Sequence, residues 1–211
     1  EMNITVFGST GKTGLHVVRH ALDAGHEVVA FLRSPDKMDI EHGRLSIVQG
    51  DAEDLDAVER AIEGADAVIS ALGQTSSSSP RLLTQAGDNI MKAMHKHDVD
   101  RFISLVGAGV DTPSDESTLG RKFMRGLMKV FARDVLEDAQ EHTDQVMASD
   151  LDWTLVRPPR LTEDEGTGSY EAGQLSLGPG AKLSRGDLGE FMVEQVEDDR
   201  HIRKAPMVAN T

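Results

Sequence analysis

The stretch that decides the fold is "ITVFGSTGKTGLHVV", residues 4–18, in which three glycines separate an apolar run from an amphipathic one. The apolar run predicts a buried strand, and the amphipathic run predicts a helix that stops at Gly25. Gly8, Gly11 and Gly14 lie at a constant spacing of three, unlike the commoner Gly-x-Gly-x-x-Gly fingerprint. Glycines between a strand and a helix let the backbone approach a pyrophosphate, and the helix N-terminus supplies N–H donors.

The glycine stretch therefore predicts a loop that binds the pyrophosphate of a dinucleotide, because it follows a predicted strand and opens a predicted helix. The alternative is an ordinary tight turn between a strand and a helix. The loop consists of Gly8, Ser9, Thr10, Gly11, Lys12, Thr13 and Gly14.

Short apolar runs alternate with helical patterns through most of the chain. Strands are predicted at residues 2–7, 28–32, 45–48, 67–72, 101–106 and 153–156. Helices are predicted at residues 15–24, 54–63 and 82–97, and residues 119–149 are expected to be mostly helical. This alternation predicts βαβ units, hence a doubly wound α/β fold with a parallel sheet and helices on both faces.

The pattern changes after Arg160, where glycine-rich segments contain short β-like pieces. Ser184 is predicted to cap a helix that ends near Val196, with the acid Asp187 three residues after the cap. A last strand is predicted at residues 206–209. This tail is too short for an independent domain, so residues 1–211 are expected to form one domain, with residues 157–211 contributing the substrate side.

Composition restricts the class of partner. The chain has 36 acidic and 22 basic residues and a formal net charge of −14, which argues against nucleic acid or an anionic membrane. It has no cysteine and neither a long apolar span nor a secretion signal, so a cytoplasmic location is expected. His16 and His20 have no third ligand nearby in the sequence pattern, so no metal site is expected.

The end of the second predicted strand distinguishes the two nicotinamide cofactors. An acid there would bind the ribose 2′-hydroxyl of NAD, whereas an arginine accommodates the 2′-phosphate of NADP. The sequence has Arg33 at this point, Lys37 one turn later and Lys12 in the glycine loop. These charges predict NADP rather than NAD; the alternative is that Arg33 is a solvated charge at a strand end.

The ends of the remaining strands are expected to line the same cleft, because ligands of open α/β sheets bind at the carboxyl ends of the strands. The predicted cofactor contacts there are Asp51, Ala52, Leu72, Gly73, Gln74, Val106, Gly107, Pro158 and Pro159.

Several segments resemble the atypical short-chain dehydrogenase/reductase family with a single NAD(P)-binding domain. They are the glycine loop, "FLRSPDK", "GDAED", "ADAVISALG", "LDWTLVRPPRLTEDEGTGSY" and "SRGDLGEFM". The chain is most similar to the flavin reductase/biliverdin reductase B type and to NmrA-like proteins. The resemblance implies a Rossmann-like fold and hydride transfer from NADPH to a flavin or quinone-like acceptor stacked on the nicotinamide. The flavin would be a substrate rather than a tightly bound group, and the protein a monomer or homodimer.

The chain also departs from this family. The catalytic Tyr-x-x-x-Lys pair is absent, since the single tyrosine, Tyr170, is followed four residues later by Gln174 and lies after the sixth predicted strand. Carbonyl chemistry by that pair is therefore not expected. In the biliverdin reductase B type, a serine and a histidine face the substrate where Gly107 and Arg160 stand here, which favours flavin over tetrapyrrole reduction.

Arg160 is the predicted catalytic residue, because its charge would stabilise negative charge developing on a reduced flavin or quinone. The alternative is that Arg160 binds cofactor phosphate or a neighbouring carboxylate.

A second hypothesis for the whole protein is a non-catalytic NmrA-like NADP sensor that signals to a protein partner. A nucleotide-sugar epimerase is disfavoured by the missing pair. The basic, methionine-bearing residues 119–136 are expected to form core, lid or dimer contacts.

Overall fold

The computed structural model describes residues 1–75, 78–115 and 133–211 of the chain. Among these residues it has ten strands and five α-helices. The strands are β1 Asn3–Phe7, β2 Glu27–Leu32, β3 Leu45–Gln49, β4 Ala67–Ser70, β5 Arg101–Leu105, β6 Asp152–Val156, β7 Arg160–Thr162, β8 Tyr170–Gly173, β9 Lys182–Ser184 and β10 Met207–Asn210. The helices are α1 Lys12–Asp23, α2 Leu55–Ile62, α3 Leu82–Lys96, α4 Arg133–Ala148 and α5 Arg185–Glu194.

Six of the strands form one parallel sheet in the order β3-β2-β1-β4-β5-β6. The chain winds outward from β1 to β3 and then crosses to β4 on the other side of β1. The carboxyl ends of β1 and β4 are therefore the point where the winding direction reverses, which is where ligands of such sheets bind. The predicted doubly wound α/β fold is confirmed.

Alternate residues of a strand point to opposite faces of the sheet. Because both faces carry apolar side chains here, helices cover both of them. On one face, Ile4 and Val6 pack in a core with residues of α1 and α5. On the other face, Phe7 packs with residues of α2, α3 and α4. Both layers are mainly apolar, and burial of their apolar side chains is the dominant favourable term in folding.

The predicted element boundaries need two corrections. The strand predicted at residues 67–72 ends at Ser70, because the backbone of Ala71 and Leu72 turns against Gly8. The first helix begins at Lys12 rather than residue 15, since the glycine loop itself forms the helix cap. Residues 119–132 of the predicted long helix lie outside the described residues, and its remainder is α4.

The C-terminal segment packs against the same core. Ser184 caps α5 as predicted: its hydroxyl accepts a hydrogen bond from the Asp187 backbone N–H at 3.0 Å. β8 pairs antiparallel with β10, and β7 pairs in parallel with β9. A Cβ on Gly189 would lie 2.8 Å from the His16 Cβ, so this glycine lets α5 approach α1 closely. None of the described helices is both long and apolar enough to cross a membrane.

Candidate dinucleotide-binding site

The glycine loop brings the start of α1 to the switch point of the sheet. Gly8 has φ +71°, and a Cβ there would lie 2.8 Å from the backbone of Ala71 and Leu72. A Cβ on Gly14 would lie 1.9 Å from the Gly8 carbonyl oxygen, and the Gly11 N–H donates to the same oxygen at 3.0 Å. Side chains at Gly8 and Gly14 would therefore force α1 away from β1 and β4.

The N-terminus of α1 lacks a side-chain acceptor. Its cap is Gly11, none of the described side chains accepts its first N–H groups, and its first turn contains no acid. By contrast, Asp54 caps α2, Ser184 caps α5, and Asp138 of α4 accepts from the first N–H groups of α3. Among the helices whose beginnings the structure describes, α1 alone has neither a side-chain acceptor for its first N–H groups nor an acid in its first turn to offset its dipole. This arrangement fits a phosphate group.

The polar side chains of the loop bind within the protein. Ser9 is fully buried, and its hydroxyl donates to the Phe31 carbonyl at 2.9 Å, which fixes the loop to the end of β2. The Thr13 hydroxyl accepts a hydrogen bond from Arg185 of α5 at 2.9 Å. Thr10 is half-buried, and Lys12 is exposed. The loop therefore offers mainly backbone N–H groups to a ligand.

Two cations stand at the carboxyl end of β2. Arg33 follows the strand directly and is exposed, and its carbonyl accepts from the Gln49 side chain at 3.0 Å. Lys37 ends the short helical turn Pro35–Lys37 and is exposed as well. Neither side chain has a hydrogen bond or ion pair with any residue the structure describes, so both can pair with an anion.

The residues after β3 and β4 lie at the same edge of the sheet. The exposed Asp51 carboxylate accepts from the Glu53 N–H at 2.9 Å, and the carbonyl of the buried Ala52 accepts from Asn89 at 3.1 Å. Leu72 packs on the core, while Gly73 is exposed with open space where a Cβ would stand. These groups define one wall of the predicted cleft.

Gln74 is held in place by α4 rather than left open to a ligand. Its amide donates to the Asp138 carboxylate at 2.5 Å and to the Pro80 carbonyl at 2.7 Å. Asp138 is buried and also accepts from the N–H groups of Leu83 and Thr84 at 2.9 and 3.0 Å. The predicted cofactor contact of Gln74 stays a prediction, and its observed role is to fix the loop after β4.

The residues after β5 and β6 form the other wall. The Val106 N–H donates to the Val156 carbonyl at 3.0 Å, and Gly107 has φ +84°. Pro158 is buried and its carbonyl accepts from the Ala108 N–H at 3.0 Å, while Pro159 is half-buried. These bonds hold the two strand ends together at the edge where the predicted acceptor side begins.

A buried ion pair that the sequence interpretation missed supports this wall. Arg157 is 0 % exposed, and its guanidinium donates to both Asp115 carboxylate oxygens at 2.8 and 3.0 Å. It also donates to the Ala205 carbonyl at 2.8 Å. The same Asp115 carboxylate accepts from the Thr112 N–H at 2.7 Å. Arg157 therefore joins the loop after β5 to β6 and to the C-terminal segment; a charge in the apolar run "TLVRPP" was its only sequence signal.

Arg160, the predicted catalytic residue, is the first residue of β7 and lies opposite Lys182 of β9. It is exposed and makes no side-chain hydrogen bond or ion pair among the described residues. Its position directly after the two prolines places its backbone at the carboxyl end of β6. The guanidinium is therefore available to an acceptor, and its catalytic role stays a prediction.

Tyr170 is unsuited to proton donation. Its hydroxyl donates to the Glu194 carboxylate at 3.0 Å, on the face where β8 meets α5. Burial, together with the Glu194 charge, raises the pKa of Tyr170 above its ordinary value. A raised pKa is the opposite of what activates a tyrosine as a general acid or base near neutral pH, and the absence of a Tyr-Lys mechanism stays a prediction.

His142 of α4 is buried beside Ser104 of β5. Its Nε2 lies 2.8 Å from the Ser104 hydroxyl, and its ring is 3 % exposed. Burial lowers the pKa of His142 from 6.5 to about 4, so the ring is neutral at neutral pH. Asp138 lies one turn earlier on α4, but both Ser104 and His142 lie inside the core. This serine and histidine are therefore structural.

We expect His142 to make the protein less stable in mild acid. The unfolded chain takes up the proton near pH 6.5, whereas the folded protein resists it until about pH 4. Between these two pH values, protons therefore bind the unfolded state in preference to the folded one. Through His142 alone, the free energy of unfolding falls by about 2 kcal/mol between pH 7 and pH 5. Urea unfolding of wild type and His142→Gln across this range measures the difference in slope. The half-buried His97→Gln is the control, and equal slopes for wild type and His142→Gln would refute the assignment.

Comparison with known proteins agrees with this geometry. The chain is 24% identical over 206 residues to the uncharacterised protein YwnB of Bacillus subtilis, covering 95% of this chain and 94% of that protein. The fold matches the oxidoreductase ylbE of Lactococcus lactis with TM-score 0.80 at 22% identity, over 100% of this chain and 91% of that one. It matches a proposed NADH-flavin reductase of Streptococcus pneumoniae with TM-score 0.77 at 23% identity, over 100% of both chains.

A sequence model of the NAD(P)H-binding family matches residues 8–199, from the first glycine of the loop to beyond α5. The match includes the glycine loop and the ends of β2 to β6, which form the candidate cleft. The resemblance read from the sequence motifs is thereby confirmed at the level of the family. With its uncapped helix at the switch point of a parallel sheet, the chain belongs to the NAD(P)H-binding family.

Proposed function

We propose that the protein is an NADPH-dependent reductase that transfers a hydride to a flavin or a quinone-like acceptor. The single observation that carries the choice of cofactor is the pair of unpartnered cations, Arg33 and Lys37, at the end of β2. The loop from Gly8 to Gly14 would hold the pyrophosphate. A small-molecule acceptor, a monomeric or homodimeric state and a cytoplasmic location complete the proposal.

When bound, the nicotinamide supplies the hydride, so the protein has to bind, orient and stabilise charge. The wall made by Val106, Gly107 and Pro158 would place the acceptor, and Arg157 keeps that wall rigid through Asp115. Arg160 would stabilise the negative charge that develops on the acceptor. Hydride transfer that uses no catalytic tyrosine fits a chain whose only tyrosine is hydrogen-bonded to Glu194. The similarity to a proposed NADH-flavin reductase supports the choice of acceptor.

The experiment that tests the proposal follows oxidation of NADPH with FMN, and then with a quinone, in the presence of the purified protein. Turnover clearly above the rate without protein supports a reductase. Tight binding of NADP without turnover on any acceptor supports the sensor hypothesis instead. One observation favours the sensor hypothesis. Gly107 stands where the biliverdin reductase B type has a substrate-facing serine.

We expect Arg160→Ala to lower the turnover of flavin about tenfold or more, because one charge-stabilising group contributes on the order of this factor or above. The affinity for NADPH should change less than twofold, since the predicted phosphate contacts lie on other strands. Steady-state kinetics with varied FMN and a separate NADPH titration measure the two effects. Arg203→Ala, an exposed arginine before β10, is the matched control. Unchanged turnover in Arg160→Ala would remove this residue from the mechanism.

A further inference from the structure

One carboxylate joins the acceptor side of the protein to the start of α1. Glu163, directly after β7, accepts a hydrogen bond from the Lys12 ammonium at 3.0 Å and from the Arg185 guanidinium at 3.3 Å, both on the same oxygen. Arg185, the first residue of α5, also donates to the Thr13 hydroxyl at 2.9 Å. Two cations and one acid thus meet at the first turn of α1.

The three side chains differ in how firmly they are held. Arg185 is 21 % exposed and is oriented by Thr13, whereas Lys12 and Glu163 are 69 % and 63 % exposed. Exposed ion pairs of this kind are weak and exchange readily. The Lys12 ammonium and the Arg185 guanidinium hold the pKa of Glu163 below its ordinary value, so this carboxyl is ionised at neutral pH. Arg185 is therefore a fixed cation, and Glu163 is a displaceable anion.

The charges around α1 show what could displace Glu163. The N–H groups at the start of α1 have no side-chain acceptor among residues 1–75, 78–115 and 133–211, and no acid lies in its first turn. The dipole of α1, Lys12 and Arg185 are three positive features directed at one place, and Glu163 is the only acid that pairs with these two cations in the described part of the chain. A pyrophosphate carries more negative charge than a carboxylate and can accept from all of these donors together.

We propose that Arg185 and Lys12 form a two-cation clamp for the pyrophosphate of the dinucleotide, and that Glu163 is a built-in competitor for this clamp. The inference rests on the proposed function for the identity of the ligand. It adds Arg185, which lies outside the glycine loop and 172 residues from Thr13, to the groups that bind the cofactor. It also predicts that the wild-type protein binds the dinucleotide less tightly than the same protein would without the negative charge of Glu163.

Calorimetric titration with NADPH and with NADH tests the proposal without depending on turnover. Glu163→Gln is expected to tighten binding of both dinucleotides about two- to fivefold, because both carry the pyrophosphate. Arg185→Met is expected to weaken both about tenfold. Glu165→Gln, on the same loop, and Arg200→Met, paired with Asp198, are the matched controls and should leave both affinities unchanged. Inorganic pyrophosphate should compete with NADPH more strongly in Glu163→Gln than in wild type.

The outcomes separate this inference from the proposed function. If the wild-type protein binds neither dinucleotide, the proposed function fails. If wild type binds but Glu163→Gln binds no more tightly, Glu163 is not a competitor and the inference is wrong. Because Glu163 is exposed, its substitution should not unfold the protein. The titration of Glu163→Gln therefore tests the proposal even if Arg185→Met folds poorly.

Discussion

Replacing Arg33 by glutamine is expected to weaken NADPH binding about ten- to one hundredfold and to leave NADH binding almost unchanged. A hydrogen bond from a charged donor contributes about 1.5–3 kcal/mol, and the guanidinium fork can make two to a phosphate. Only NADPH carries the 2′-phosphate that we propose Arg33, at the end of β2, binds. Fluorescence or calorimetric titration of both dinucleotides measures the ratio of their dissociation constants.

The matched control for Arg33 is Arg60→Gln. Arg60 lies in the last turn of α2, donates to the Asp56 carbonyl at 3.1 Å, and is exposed like Arg33. Loss of one positive charge should lower the affinity for any anion slightly, and the control removes that contribution. Equal weakening of NADPH and NADH by Arg33→Gln would show that Arg33 binds the pyrophosphate or nothing specific. The choice of NADP over NAD would then be wrong.

The fold was predictable because its signals are local. An apolar β-branched run, a glycine loop and an amphipathic run suffice to place β1 and α1, and the same alternation places the next strands. The Ser184 cap was predictable for the same reason, since Asp187 is three residues away. The end of β4 was not, because it depends on how closely the distant Gly8 approaches Ala71.

The backbone parts of the candidate site were predictable, but its side-chain pairs were not. The sequence places the predicted residues at strand ends, since the carboxyl ends of parallel strands share one edge. It does not reveal that Glu163 meets Lys12 across 151 residues, or that Gln74 meets Asp138 across 64. Such pairs are decided by packing between elements. These side-chain pairs were therefore found only in the structure.

The buried pair of Arg157 and Asp115 shows the consequence of such packing for stability. We expect Arg157→Met to lower the free energy of unfolding by about 3–5 kcal/mol, because it removes the guanidinium that donates to both oxygens of the buried Asp115 carboxylate. The two partners are 0 % and 7 % exposed in their side chains, so water cannot replace the guanidinium. Urea unfolding measures this loss of free energy. The dependence of the unfolding free energy on urea concentration should be the same as in wild type.

The double variant Arg157→Met/Asp115→Leu should recover more than half of that loss. The double variant removes the Asp115 carboxylate together with the guanidinium that donates to it, and a buried ion pair stabilises a fold little more than apolar side chains of similar volume. Recovered stability does not restore position, since the loop after β5 would no longer be fixed to β6 by two hydrogen bonds. In the double variant, the Michaelis constant for the proposed acceptor should therefore be higher than in wild type, while the affinity for NADPH should match that of wild type. A double variant as unstable as Arg157→Met would show instead that the guanidinium itself, through the Ala205 carbonyl, is what the fold requires.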